Sequence, residues 1–139
     1  MALRLKIAFG ACLAGTAMPF ASTQALEPSM NYTLHCMGCH TPDGSEVQDR
    51  VPAIRSTLRP FAGTPDGRRF LVQVPGVAHS TLTDAEIATL LNWMLENLAD
   101  GSATGTFVPY TEQEVAGYRK HALVGVRAER ERLLAQMNR

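Results

Sequence analysis

The stretch "YTLHCMGCHTPDGS", residues 32–45, decides how this chain folds because it places two thiols and an imidazole on one short segment. Cys36 and Cys39 lie three residues apart, and His40 follows the second cysteine directly. If the segment is helical, the two thiols point to one side of the same turn. Such a cluster suits three kinds of chemistry: a redox-active dithiol, a metal site, or the attachment of a prosthetic group.

The overall composition is that of an ordinary globular protein. The chain has 139 residues, of which 45% are hydrophobic and 19% are charged. This length accommodates one small domain and additional segments. The formal net charge is zero, so the sequence carries no strongly basic surface and we expect no nucleic-acid partner.

Residues 1–25 have the pattern of a secretory signal peptide. Arg4 and Lys6 precede an apolar run at 7–20, and small residues lead to a cleavage position after Ala25. The alternative is a membrane anchor, but a spanning helix needs about 20 apolar residues and this run is shorter. We therefore predict export to the periplasm of a Gram-negative bacterium, with no membrane span in the mature chain.

Export changes the meaning of the cysteines. Cleavage removes Arg4, Lys6 and the cysteine at position 12, which leaves eleven basic residues against thirteen acidic ones, a net charge of −2. Cys36 and Cys39 are then the two remaining cysteines. In an oxidising compartment such a pair forms a disulfide, binds a metal or joins a cofactor.

Two of the three chemistries lack supporting residues. A thioredoxin-like pair follows a strand in a βαβ unit, and residues 27–35, "EPSMNYTLH", contain no strand pattern. Structural zinc usually needs four cysteine or histidine ligands, and no second cysteine pair is present. The remaining meaning of C-x-x-C-H is c-type haem attachment. We predict that Cys36 and Cys39 hold one covalent haem c and that His40 ligates its iron.

With this motif the chain resembles the small monohaem class I cytochromes c, over roughly Glu27 to Ala99. Tyr32 matches an aromatic residue of the first helix of that family, and "LLNWM" at 90–94 resembles its final core helix. The usual glycine of the first helix is absent, and Pro28 is close to its place.

The resemblance also implies an orienting partner for the proximal histidine. In this family a loop proline after the haem motif lends its carbonyl to that histidine, and here the proline is Pro52. The implied fold is all-α, with cytochrome c-like helices around the haem and a helical C-terminal extension.

The clearest helix pattern is "LTDAEIATLLNWMLENLADG", residues 82–101. Thr83 and Glu86 form a capping box at its start, and Gly101 can end it. Its apolar residues recur at helical spacing and form a wide stripe: Ile87, Leu90, Leu91, Met94, Leu95 and Leu98, with Trp93 beside them. We predict that this helix is covered on two sides, by the haem and by the first helix.

The sixth ligand of the iron is the main open question. The family usually supplies a methionine from a loop before the last core helix, but here residues 70–86 contain no methionine and do contain His79. We predict that His79 is this ligand, which would lower the reduction potential relative to methionine. An open or water-filled site is the second outcome, and ligation by Met94 from the helix is the third.

Arginines and the C-terminal region complete the set of candidates. Arg68 and Arg69 are candidates to bind haem carboxylates, as are Arg55 and Arg59, because guanidinium matches carboxylate geometry. Residues 100–110 have the composition of a linker. The helical pattern beyond them has an apolar side that either folds back on the core or docks on a partner. We therefore expect three regions: a signal peptide at 1–25, a cytochrome c domain at 26–99 and an extension at 100–139.

These features favour an electron-transfer protein over an independent enzyme. The chain offers no evident set of catalytic acid, base and nucleophile. We expect a periplasmic carrier of single electrons, either a shuttle or a haem subunit, with partners such as a periplasmic dehydrogenase or a terminal oxidase. The alternative is a haem protein that binds or senses a small gas molecule at an exchangeable sixth iron site. The donor, the acceptor and the reduction potential cannot be read from the sequence.

Overall fold

The computed structural model describes residues 25–48, 50–101 and 107–139, and the regular secondary structure of these residues is helical. Among the described residues, β-type pairing is limited to an isolated antiparallel bridge between Val47 and Val51. The predicted all-α class is therefore confirmed. The helices are α1 (Pro28–His35), α2 (Arg55–Ala62), α3 (Pro65–Gln73), α4 (Pro75–Ala78), α5 (Asp84–Asn97), α6 (Glu112–Tyr118) and α7 (Val126–Met137).

Helix α5 begins as the sequence predicts. The Thr83 hydroxyl accepts a hydrogen bond from the Glu86 amide at 3.2 Å, and the Thr83 amide donates to the Glu86 carboxylate at 2.8 Å. These reciprocal bonds satisfy two amides that the first turn of a helix leaves free. The helix ends at Asn97, before Gly101, whose φ of +104° takes the chain into a turn.

Helix α3 is an element that the sequence pattern did not reveal. The "PDG" segment at 65–67 has the composition of a turn, yet it forms the first turn of this helix. Pro65 suits that place because its missing amide would be unpaired there anyway. The Thr64 hydroxyl caps the helix by accepting from the Gly67 amide at 3.1 Å.

The core is built around α5. Tyr32 of α1 is 2% exposed, and its ring lies 5.8 Å from that of Trp93. Helix α6 also packs against α5, so α5 is covered by α1 on one side and by α6 of the C-terminal extension on another. Leu95 and Ile87 of α5 are almost completely buried.

The C-terminal extension folds back on the rest of the chain. Tyr110 and Val115 belong to the same buried cluster as α5, and Leu133 of α7 packs with Phe61 and Phe70 in a second cluster. Of the two alternatives for the apolar side of this region, the structure thus shows back-packing.

Two predicted segments lie largely outside this description. The proposed signal peptide falls on residues that are not described, apart from position 25, and so does most of the glycine- and serine-rich part of the linker. Among the described residues, no helix combines the length and apolar character that crossing a bilayer requires.

Candidate cofactor cavity

An apolar cavity of about 470 Å³ opens beside the C-x-x-C-H segment. This volume lies in the roughly 300–1,000 Å³ range of small-molecule sites. Helices α2, α3, α4, α5 and α7 and the 51–54 loop all contribute to its walls. The apolar lining includes Leu58, Phe61, Phe70, Val74, Leu91 and Met94.

One wall of this cavity carries the three groups that the motif brings together. Cys36, Cys39 and His40 all line it. They lie on a helical turn that continues α1, because the Cys36 carbonyl accepts from the Cys39 amide at 3.1 Å and from the His40 amide at 3.0 Å. Both cysteines are free thiols, and Cys39 is exposed while Cys36 is half-buried.

The segment after His40 is held rigidly. The Tyr32 hydroxyl donates to the Thr41 carbonyl at 2.7 Å and so ties the buried face of α1 to this segment. Asp43 accepts hydrogen bonds from the hydroxyls of Thr41 and Ser45 at 2.9 and 2.8 Å. Gly44, with φ of +69°, reverses the chain there. The imidazole of His40 is thus flanked on both sides by fixed backbone.

Burial sets the protonation of these groups. It raises the pKa of the Cys36 thiol to about 11, and the negative charge that Cys39 can carry adds to this effect. Burial lowers the pKa of the His40 imidazole, which favours the neutral form that binds metals. The Nδ1 atom of His40 is buried and makes no hydrogen bond within the described structure.

The described residues contain no cluster of three or more His, Cys, Asp or Glu side chains that could hold a metal ion directly. Cys36, Cys39 and His40 therefore line one wall without converging on a point. What the arrangement offers is a surface along which a larger, largely apolar group could be held at several places.

The structure does not bring His79 into this cavity. Pro75, Gly76 and Val77 of α4 line the cavity, whereas His79, which follows the helix, is exposed and is not part of the lining. Arg119 donates to the carbonyls on either side of it, those of Ala78 at 3.3 Å and Ser80 at 2.8 Å. The backbone around His79 is thus attached to the C-terminal extension.

Met94, unlike His79, lines the cavity. Its side chain is 8% exposed, packs in the main core and also lines the cavity. Among the described residues, it is the one methionine that lines this space. The sequence identified Met94 mainly as a core residue, and the structure shows that a core residue of α5 can face the cavity as well.

Pro52 lines the cavity, but the hydrogen bond expected from His40 is not present. The Nδ1 atom of His40 has no hydrogen-bond partner, so the Pro52 carbonyl does not accept a hydrogen bond from it in this structure. The two residues are near the same space without the contact that the family resemblance implies.

Arg68 lies elsewhere, in a different interaction. Its guanidinium binds both oxygens of Glu114 of α6 at 2.6 Å, donates to the Val108 carbonyl at 2.7 Å and stacks 3.9 Å from the centre of the Tyr110 ring. A planar fork matched by a carboxylate is a strong, directional pair. Arg68 thus joins α3 to the extension and does not line the cavity.

Two residues of α7 line the cavity although sequence reasoning did not place them there. Val126 and Arg130 are four residues apart and therefore share one face of the helix. That spacing was visible in the sequence. The sequence could not show where α7 would pack, because the residues that it meets around the cavity lie far from it in the sequence.

Comparison with known protein families, curated proteins and solved structures finds no significant match to this chain. The resemblance to class I cytochromes c therefore depends on the motif and on the pattern of the helices.

Proposed function

We propose that this protein is a periplasmic c-type cytochrome that carries single electrons on one covalently attached haem c. The observation that supports this most is the position of Cys36, Cys39 and His40 along one wall of an otherwise apolar cavity. C-x-x-C-H is the attachment motif for this cofactor, and the cavity supplies an apolar space next to it.

The residues present suit the group. Each thiol would add across a vinyl double bond of the haem, so that one C–S bond forms and the hydrogen goes to the vinyl carbon, with no other reactant consumed. Burial lowers the pKa of His40 and so favours its neutral form, the state in which an imidazole binds iron. The unpartnered Nδ1 atom marks a site that lacks one of its contacts, since buried polar atoms normally have a partner.

Haem bound in this cavity would supply iron that gains and loses one electron. The chain would do the rest. Apolar side chains such as Leu58, Phe61 and Leu91 would exclude water from the ring, and the exposed Gly38 and Cys39 would leave one edge of the site near the surface. That edge is where electrons would pass to a partner such as a periplasmic dehydrogenase or a terminal oxidase.

The test is expression in a host that matures c-type cytochromes. The exported protein should begin at Leu26, gain the mass of one haem and undergo a reversible one-electron reduction. Replacing both cysteines by alanine should abolish covalent haem, whereas His121→Ala, an exposed change in the extension, should not. A wild-type product of unmodified mass would refute the proposal.

A second candidate function is binding of a small gas molecule at the sixth iron position. The observation that favours it is the placement of His79 outside the cavity, with the carbonyls of Ala78 and Ser80 held by Arg119. Rapid binding of carbon monoxide by the reduced protein would support this function. Slow binding that becomes fast in Met94→Leu, or in His79→Ala, would instead identify the sixth ligand of an electron carrier.

A further inference from the structure

A second, more polar cavity adjoins the apolar one. It measures about 550 Å³ and lies between residues 46–47 and 50–52 on one side and the first turns of α7 on the other. Four residues line both cavities: Val51, Pro52, Val126 and Arg130. We call the second cavity the mouth, since it meets the apolar cavity at these shared residues.

The two spaces differ in charge. Arg50, Arg127 and Arg130 line the mouth together with Glu46 and Glu131. Among the described residues that line the apolar cavity, Arg130 is the one side chain with a permanent charge, since the other ionisable groups there are two histidines and two thiols. A charge at the edge of an apolar space is unfavourable unless a partner compensates it.

Arg130 has no such partner in the described part of the chain. Arg68, Arg119 and Arg132 each form an ion pair with a carboxylate, while none is found for Arg130, although Glu131 and Glu46 border the same mouth. A guanidinium of this kind is suited to a carboxylate supplied from within the cavity.

We propose that α7 closes the haem cavity and that Arg130 binds a carboxylate of the attached haem. This inference rests on the proposed function. The vinyl and carboxylate groups of haem lie on opposite edges of the ring. Cys36 and Cys39 line the apolar cavity but not the mouth, so a ring attached to them would direct its carboxylates away from the thiols and towards Arg130.

The role expected for Arg68 thereby passes to a residue of the extension. Helix α7 is well anchored for it. Leu133 packs with Phe61 and Phe70, and Arg132 reaches Asp66 at the start of α3, at 3.2 Å. The extension is then part of the haem site itself and closes a space that the preceding helices leave open.

The experiment uses the holoprotein and compares Arg130→Gln with wild type. The reduction potential is measured against pH, because ionisation of a haem carboxylate makes the potential depend on pH. Loss of a neighbouring positive charge should raise the carboxylate pKa by about one to three pH units. Arg130→Lys should give a smaller rise, and Lys120→Gln, which removes an exposed charge outside both cavities, should leave the profile unchanged.

A measurement on the wild type covers the case in which Arg130→Gln fails to fold. Nuclear Overhauser contacts should join the haem carboxylate chains to side chains of α7, Val126 among them. The absence of these contacts, or an Arg130→Gln profile that superimposes on the wild type, overturns the inference. Either result with haem covalently attached leaves the proposed function intact, whereas a wild type without attached haem removes that function first.

Discussion

Replacing Arg119 by alanine should detach the C-terminal extension from the segment that leads into α5. This one guanidinium donates to the Leu82 carbonyl at 2.9 Å, to the Asp84 carboxylate at 2.8 Å and to the Ser80 carbonyl at 2.8 Å. Longer bonds of 3.3 and 3.4 Å reach the Ala78 carbonyl. Loss of the side chain leaves all four acceptors without their donor.

The size of the effect follows from the geometry and exposure. A hydrogen bond to a charged group contributes about 1.5–3 kcal/mol when shielded, and an exposed ion pair contributes about 0.2–1 kcal/mol. The side chains of Arg119 and Asp84 are 19% and 31% exposed, which places them between these limits. With three short bonds lost and water replacing part of them, we expect the free energy of unfolding to fall by about 3 kcal/mol.

The assay is unfolding of the purified protein in guanidinium chloride, followed by far-ultraviolet circular dichroism. The matched control is Lys120→Ala, an exposed neighbour for which a change within about 0.5 kcal/mol is expected. Arg119→Lys keeps the charge but not the planar fork, so its loss should be intermediate. If the free energy of unfolding of Arg119→Ala lies within about 0.5 kcal/mol of the wild-type value, this residue does not hold the extension and the prediction is wrong.

Three further changes test other parts of the fold, each by the same unfolding measurement. Gly67→Ala would place a methyl group in steric conflict with the Phe61 carbonyl oxygen and should lower the free energy of unfolding by about 3 kcal/mol or more. Gly117→Ala, in α6 with open space around it, should be neutral or stabilising by up to about 1 kcal/mol; equal effects of the two changes would contradict the close contact at Gly67. Hydrogen bonds from neighbouring hydroxyls hold the pKa of Asp43 at about 2, below its ordinary 3.8. The contribution of Asp43 to the free energy of unfolding is therefore present above pH 3.8 and is lost as the pH falls towards 2. Asp43→Asn should flatten the dependence of stability on pH in this range; an unchanged dependence would contradict the prediction. Thr83→Ala removes the cap of α5 and should lower the free energy of unfolding by about 1 kcal/mol. An unchanged free energy of unfolding would show that the cap is dispensable.

Local signals in the sequence were enough to predict the start of α5, whereas the all-α class was implied by the resemblance to class I cytochromes c. Thr83 and Glu86 lie three residues apart, and their bonds form within a single turn, so no distant residue is needed to predict them. The clustering of Cys36, Cys39 and His40 on one wall is local in the same way, because one helical turn carries all three. Their chemical role, haem attachment, stays a prediction.

The positions of the residues considered as iron or haem-carboxylate ligands depended on contacts with residues far away in the chain. In the sequence, His79 stands where the resemblance to class I cytochromes c predicts a sixth ligand, but Arg119, forty residues later, binds the carbonyls beside it. Arg68 was a sequence candidate for binding haem carboxylates, and nothing in the sequence singled out Arg130. In the structure Arg68 pairs with Glu114, whereas Arg130 lines the edge of the cavity and no carboxylate partner is found for it among the described residues.

The amino-acid sequence by itself determined the elements that form from neighbours: the turn that carries the thiols and the imidazole, the capped helix α5 and its apolar stripe. Backbone hydrogen bonds and side-chain periodicity act over three or four residues, so these features are encoded where they occur. Only the tertiary structure decided which residues enclose the cavity. That outcome depends on how apolar faces such as that of α7 are buried together, and hydrophobic burial is non-directional and does not specify a partner along the chain.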